Sequence, residues 1–215
     1  MKLVWNIDKA ELELAKAFAK NSEISLLKVL KANSFLFYDL YFRKAIQPVF
    51  HEVIFGGDLR CDFAWLNDNS LGPEWVLVEV EAPRMRLFNK NLKPSSELNG
   101  SIEQIKSWQR YFSENSSEKS RIFGAVAKFR FVLVAGDKQS WSTEHAMKWR
   151  KHESEHSSIE IRTSNVFQRP FQYIKDRPSD FWSFNENPVS LPGSKLKQYW
   201  EGYGYMDDMR KFFRN

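Results

Sequence analysis

Two stretches of this chain, EWVLVEVEAP at residues 74–83 and FRFVLVAG at 129–136, are apolar at almost every position, and the segment between them carries helical spacing. Strands that are apolar on both faces belong inside a sheet covered by helices on either side. A helix joining two such strands makes a parallel crossover of the usual right hand. The first stretch breaks its own pattern. Side chains alternate along a strand, so Glu79 and Glu81 share a face with Trp75 and Leu77, while Val76, Val78, Val80 and Ala82 point the other way. A carboxylate placed there costs on the order of several kcal/mol unless it is protonated, paired with a cation or bound to a metal.

The rest of the chain supplies the layers around these strands. DKAELELAKAFAK puts Leu12, Ala15, Phe18 and Ala19 on one helical face, and SEISLLKVLKAN reads as a second helix capped by Asn21 or Ser22. SFLFYDLYFRKAIQPVF is aromatic and helical in character up to Pro48. HEVIF, closed by Gly56-Gly57, then LRCDFAWL and EWVLVEVEA form a three-strand meander, with NDNSLGP as the turn between the last two. In KPSSELNGSIEQIKSWQRYFSEN, Ile102, Ile105 and Phe112 form an apolar stripe. Ser101 with Gln104 fits a capping box there, or the helix starts earlier, near Ser95. STEHAMKWRKHESEH predicts a helix, SIEIRTSNVFQRPF a last strand, PSDFWSFNENPVSLPG a loop, and KLKQYWEGYGYMDDMRKFFRN a helical tail. The predicted class is α/β, an α+β mixed sheet. Residues 1–45 form an N-terminal helical elaboration, 46–177 the core and 178–215 a C-terminal loop and helical tail packed on the same domain.

Charge and cysteine content narrow the function. Lys and Arg number 32 against 27 Asp and Glu, a net charge of +5, which favours polyanionic partners. The single cysteine, Cys61, excludes a disulfide framework and points to a reducing compartment. The expected location is the cytoplasm, with no membrane partner, because no apolar run approaches the length of a signal peptide core or a membrane span.

Asp62 lies in the strand before Glu79. Its neighbours Cys61, Phe63 and Trp65 alternate onto the opposite face, so Asp62 shares a side with Arg60, Ala64 and Leu66. If the two strands pair, Asp62 and Glu79 converge. Their oxygens with a backbone carbonyl make a hard site suited to Mg²⁺, with Mn²⁺ as a substitute. A metal held this way activates water and stabilises charge on a phosphodiester. The competing account is an exposed strand face, or a structural ion pair with Arg60, Arg84 or Arg86.

These residues resemble the PD-(D/E)xK nuclease superfamily, whose signature is an acid on the second core strand followed by an acid-x-Lys on the third. Within it the chain looks most like the Shedu anti-phage nucleases, over about residues 50–175. GGDLRCDFAWL, WVLVEVEAP and SSELNGSIEQIKSWQRYF carry the likeness. The resemblance implies a restriction-endonuclease-like core with N-terminal helices and a C-terminal helical extension. It implies Asp62 and Glu79 as metal ligands and DNA, duplex or at its ends, as substrate. It also implies a role in defence against phage, in a homo-oligomer. Glu81 stands where lysine is usual and would position or deprotonate water, or else mark a lost site in a module that only binds nucleic acid; a displaced Lys93 or Lys106 could compensate. Gln104 and Trp108 resemble the Gln-x-x-x-Tyr helix of related nucleases, with Trp in place of Tyr. Glu52 is a candidate for the first acidic position, with Glu11, Glu13 and Glu23 also available.

HESEH, residues 152–156, matches the His-Glu-x-x-His pattern of zinc peptidases, but Glu155 brings charge to a helix that is apolar in such enzymes, and no downstream ligand pattern follows. His51 and His145 have no ligand spacing. Among the many aromatics, Trp182, Tyr203 and Tyr205 are the ones placed to stack on unpaired bases.

Overall fold

The computed structural model describes residues 3–40, 48–69 and 71–212. Asn6 and Ser22 accept hydrogen bonds from the N–H groups of Lys9 and Ser25 and so start α1 (Ile7–Lys20) and α2 (Glu23–Ala32). Asn21, in the left-handed region at φ 48°, closes α1 between them. The aromatic segment that follows forms a 3₁₀ turn over Ser34–Leu40, not an α-helix, and its continuation through residue 47 lies outside the described residues.

The meander follows. β1 (Phe50–Gly56), β2 (Leu59–Asn69) and β3 (Gly72–Val80) pair antiparallel in order. The turn is shorter than NDNSLGP suggests, because pairing runs out to Asn69 and Gly72; Ser70 lies outside the described residues. α3 (Ser96–Glu114) and α4 (Ser116–Phe123) then carry the chain to β4 (Lys128–Val134), parallel to β3. α5 (Glu144–Ser157) returns it to β5 (Ile159–Arg162), parallel to β4.

The last expected strand is cut to those four residues. A 3₁₀ turn over Ser164–Phe167 follows, then α6 (Arg169–Asp176), with Pro170 in its first turn, where the missing N–H costs nothing. The segment expected as loop holds a 3₁₀ turn at Pro178–Phe181, α7 (Trp182–Glu186) and β6 (Leu191–Pro192), which pairs parallel to β1. Two residues are too few to show an alternation in sequence. The tail is α8 (Leu196–Glu201) and α9 (Gly204–Phe212).

The six-stranded mixed sheet has the order β5-β4-β3-β2-β1-β6, which puts β3 in the interior, and every residue of β3 is buried. The alternation in EWVLVEVEAP is kept. Trp75 and Leu77 join Leu66, Leu133, Ile102, Ile105 and Trp108 in a core beneath α3, while Val76, Val78 and Val80 join Phe63, Trp65 and the side chains of α1, α2 and α6 on the other face. Two details differ. α1 buries Ala10, Leu14 and Ala17 and leaves Leu12 54% exposed, because two apolar sets fit a helical period and docking selects between them. Cys61 packs beneath α3 with Ala64 and Leu66, because β2 leaves regular pairing with β3 at Asp62. No helix among the described residues is long and apolar enough to cross a membrane.

Candidate active site

The ladder between β2 and β3 is continuous from Asn69↔Gly72 to Phe63↔Val78 and stops there. The next residue of β2 is Asp62, and its Oδ2 accepts the N–H of Val80 at 2.8 Å, so a carboxylate replaces a backbone carbonyl at the end of the ladder. Beside it Glu79, 8% exposed, faces α3, where Gln104 Nε2 donates to its Oε1 at 2.6 Å. Its other oxygen, Oε2, is buried without a hydrogen-bond partner. Glu81 comes just past the end of β3. Its N–H donates to the Val134 carbonyl at 2.9 Å, prolonging the contact with β4, and its Oε1 accepts the Ser101 hydroxyl at 2.5 Å.

The structure therefore brings Asp62, Glu79, Glu81 and Gln104 together, and it gives Ser101 and Glu23 places beside them. Of the two starts the sequence allows for this helix the structure takes the earlier: Ser95 caps it, accepting from Leu98 N–H at 3.1 Å, and Ser101, in the second turn, is free to hold Glu81. Glu23, the first residue of α2, enters the field of the same cluster. Its place at a helix N-terminus favours negative charge there. The sequence offers Glu23 only as one of several acids for the first acidic position, beside Glu52, Glu11 and Glu13.

The electrostatics are those of uncompensated carboxylates. Burial pushes Glu79 well above the usual carboxylate range, and the charges of Asp62, Glu81 and Glu23 push it further, against the Gln104 hydrogen bond. Burial likewise raises Asp62 to about 7, opposed by the Val80 N–H and reinforced by Glu23 and Glu81. Glu81 and Glu23 are raised as well, chiefly by burial. The cation acting on Asp62 and Glu23 is Arg60, and no Lys or Arg among the described residues forms an ion pair with any of the four. Arg84 instead donates to the Phe18 and Ala19 carbonyls at the end of α1, and Arg86 to the Phe88 carbonyl, so the structural ion pairs weighed for these two arginines do not form.

Other candidates lie elsewhere. Glu52 is paired with Lys31 at 2.7 Å and is not among the charges acting on Glu79 or Asp62; its backbone takes φ 53°, which turns it out of the β1 ladder. Lys93 is exposed in a turn whose N–H donates to Asn89 Oδ1, and Lys106 reaches across to Glu153 of α5 at 3.3 Å. Trp108 is fully buried against Phe55, one turn beyond Gln104. His152 and His156 stack at 3.9 Å near the exposed end of α5. His156 Nδ1 lies 2.7 Å from the His152 carbonyl, and no third His, Cys, Asp or Glu among the described residues completes a metal site with them. Trp182 is 41% exposed, whereas Tyr203 and Tyr205 pack partly against the core.

The same test applies to the acidic cluster. Among the described residues no three acidic, His or Cys side chains converge as a ready cage. Mg²⁺ does not need one: it is commonly held by one or two carboxylates, with water and substrate phosphate completing the shell. The donors here are all hard oxygens, one oxygen of each of Asp62, Glu79 and Glu81 is oriented by a protein hydrogen bond, and the second oxygen of Glu79 is buried and unpartnered. That set fits a hard divalent cation.

Comparison with protein families gives a match over residues 20–167 to the model described as Shedu protein SduA, C-terminal. It takes in α2, the whole meander, α3 and β5, and so every residue of the acidic cluster. Comparison with curated proteins gives no match.

Proposed function

The chain belongs to the family of the Shedu protein SduA C-terminal region, and from that premise we propose that it is a Mg²⁺-dependent DNA nuclease on a PD-(D/E)xK core, acting in bacterial defence against phage. One observation carries the reading. Glu79 is buried, with one oxygen lacking a hydrogen-bond partner, among three other carboxylates and without an ion pair to any described cation, an arrangement that costs stability and is repaid by a bound dication.

Asp62 and Glu79 would hold the ion. The Val80 N–H and Gln104 fix one oxygen of each, so the remaining oxygens face the site in set orientations. Bound there, Mg²⁺ supplies charge stabilisation to the phosphodiester and lowers the pKa of water beside it. Glu81 is held by Ser101, one turn of α3 before Gln104, and the upward shift that burial gives its pKa suits a group that takes a proton from the attacking water. Glu23 adds negative charge at the rim.

A second reading has one observation in its favour: Glu81 replaces the lysine usual at its position, as it would in a protein that binds nucleic acid without cutting it. Cleavage decides. Supercoiled and linear DNA incubated with the protein in Mg²⁺, Mn²⁺ or chelator should be cut with either metal, not with chelator, and not by Glu79→Gln. Folded protein that binds DNA yet leaves it intact in both metals would refute the nuclease and leave the binding module.

A further inference from the structure

At the β5 edge of the sheet, α5 from one face and α6 from the other leave an open groove of about 980 Å³. Lys138, Arg150, Lys151, Arg162 and Arg169 line it, against a single acidic residue, Glu160. That acid is already shared: its carboxylate holds Arg162 at 2.5 Å and also Arg130, whose Nε is 2.7 Å away. Arg150 lies over the Trp141 ring, 5.4 Å from its centre, and burial together with the Arg162 charge pushes its pKa down. Arg169 also meets Asp39 at 3.5 Å and Lys151 meets Glu155 at 3.9 Å, while Lys138 and Arg150 form no ion pair with a described residue, so the groove keeps an excess of positive charge that favours an anion.

The groove reaches the edge of the sheet where β3, β4 and β5 end, the edge that carries the acidic cluster. Val80, Val134 and Arg162 stand in register there, about 10 Å across two strand spacings, with Arg162 on the Val80 face and Glu79 on the other, so a strand joining the two passes over that edge. Ser164 Oγ donates to the carbonyl of Pro83, two residues beyond Glu81, at 3.0 Å, and Asn165 Oδ1 accepts the Lys138 N–H at 2.6 Å. These bonds tie the rim of the groove to the loop that leaves the carboxylates.

We propose that this groove holds the sugar-phosphate backbone of a nucleic-acid strand running away from the phosphate at the carboxylates. The proposal rests on the nuclease reading. The cations are spread from the loop after β4 to the first residue of α6, which fits successive phosphates along a strand and not one phosphate at a point.

The test is binding of a labelled 20-nucleotide single strand and the matching duplex by the full chain, in chelator, over a series of salt concentrations. Lys138→Glu/Lys151→Glu, on two exposed side chains, should weaken binding at least tenfold and flatten the dependence of log affinity on log salt by roughly 1.4–1.8. Lys195→Glu/Lys211→Glu makes the same charge change outside the groove and should leave the slope unchanged. Equal losses in both pairs, or no loss in the groove pair, would overturn the proposal. Displacement of the strand by micromolar nucleoside triphosphate would do the same, making the groove a nucleotide site. Cleavage dependent on Glu79 is scored separately. If it persists while the groove variant binds normally, only the groove is wrong; if wild-type protein never cuts, the nuclease reading falls.

Discussion

Replacing Asp62 by asparagine removes one charge from the acidic cluster and still leaves an amide oxygen to accept the Val80 N–H, so it should make the metal-free protein more stable while ending activity. A carboxyl whose pKa is higher in the folded chain keeps a proton that the unfolded chain gives up. Its contribution to stability therefore falls as pH rises from the unfolded value, 3.8, to the folded value, about 7, and the full cost is present above that window. A shift of this size corresponds to about 4 kcal/mol at pH 8 and less than about 1 kcal/mol at pH 4. For a chain of this length that is a rise in Tm of roughly 8–16 °C at pH 8, shrinking to a degree or two at pH 4. Tryptophan fluorescence during thermal unfolding, in chelator, measures both. Mg²⁺ adds an independent arm: at a hundredfold excess over its Kd it should stabilise the wild type by about 2.7 kcal/mol and the variant by much less. An asparagine variant no more stable than wild type at pH 8, or one whose gain is the same at both pH values, would refute the account of Asp62 as a costly buried charge.

Three further expectations follow from the same geometry. Glu23→Gln should lower the cleavage rate about tenfold or more while Glu52→Gln leaves it unchanged, since Glu23 shares the field of Glu79 and Glu52 is committed to Lys31; the reverse pattern in a cleavage assay would return Glu52 to the site. Ser101→Ala removes the hydrogen bond that holds the Glu81 pKa down, so the acidic limb of the pH–rate profile should move to higher pH with little change in Tm, and an unmoved limb would separate Glu81 from proton transfer. Gly124→Ala should cost roughly 2–4 kcal/mol, read from chemical denaturation. Its φ is +74°, and a Cβ would stand 2.8 Å from the Trp200 ring, so the change both strains the backbone and lifts α8 from the core.

The central strand was legible because a parallel strand buried on both faces has a signature few other elements share, and EWVLVEVEAP keeps its alternation in the structure. The convergence of Asp62 with Glu79 was legible for the same reason, since a meander fixes which residues stand opposite one another. Glu23 was not. It reaches the site because the start of α2 is brought near the end of β3, a tertiary fact with no local signal. The start of α3 stays open in the sequence between Ser95 and Ser101, because both precede helix-forming residues, and only the hydrogen bond from Leu98 settles it on Ser95. The basic groove as a whole has no local signal for a different cause: Arg150 and Lys151 fall in one basic stretch, but Lys138, Arg162 and Arg169 lie on separate elements, each a plain solvated charge in the sequence. Short pieces, such as β6 and the 3₁₀ turns, are set by what they dock against.

The pairing of β6 with β1 bears on how the chain folds. Phe50 stands opposite Leu191, and Gly193 approaches so closely that a Cβ there would lie 2.6 Å from the Glu52 carbonyl oxygen. Phe50 and Leu191 stand far apart in the chain, and bringing them together costs chain entropy before their contacts are made, so this edge should be among the last parts of the sheet to form. Until residues 191–193 arrive, β1 keeps an open row of backbone donors and acceptors against which another copy could pair. Late closure would place the hazard of aggregation in the interval when the meander is built and its outer edge is bare, and a cut between α7 and β6 would make that interval permanent.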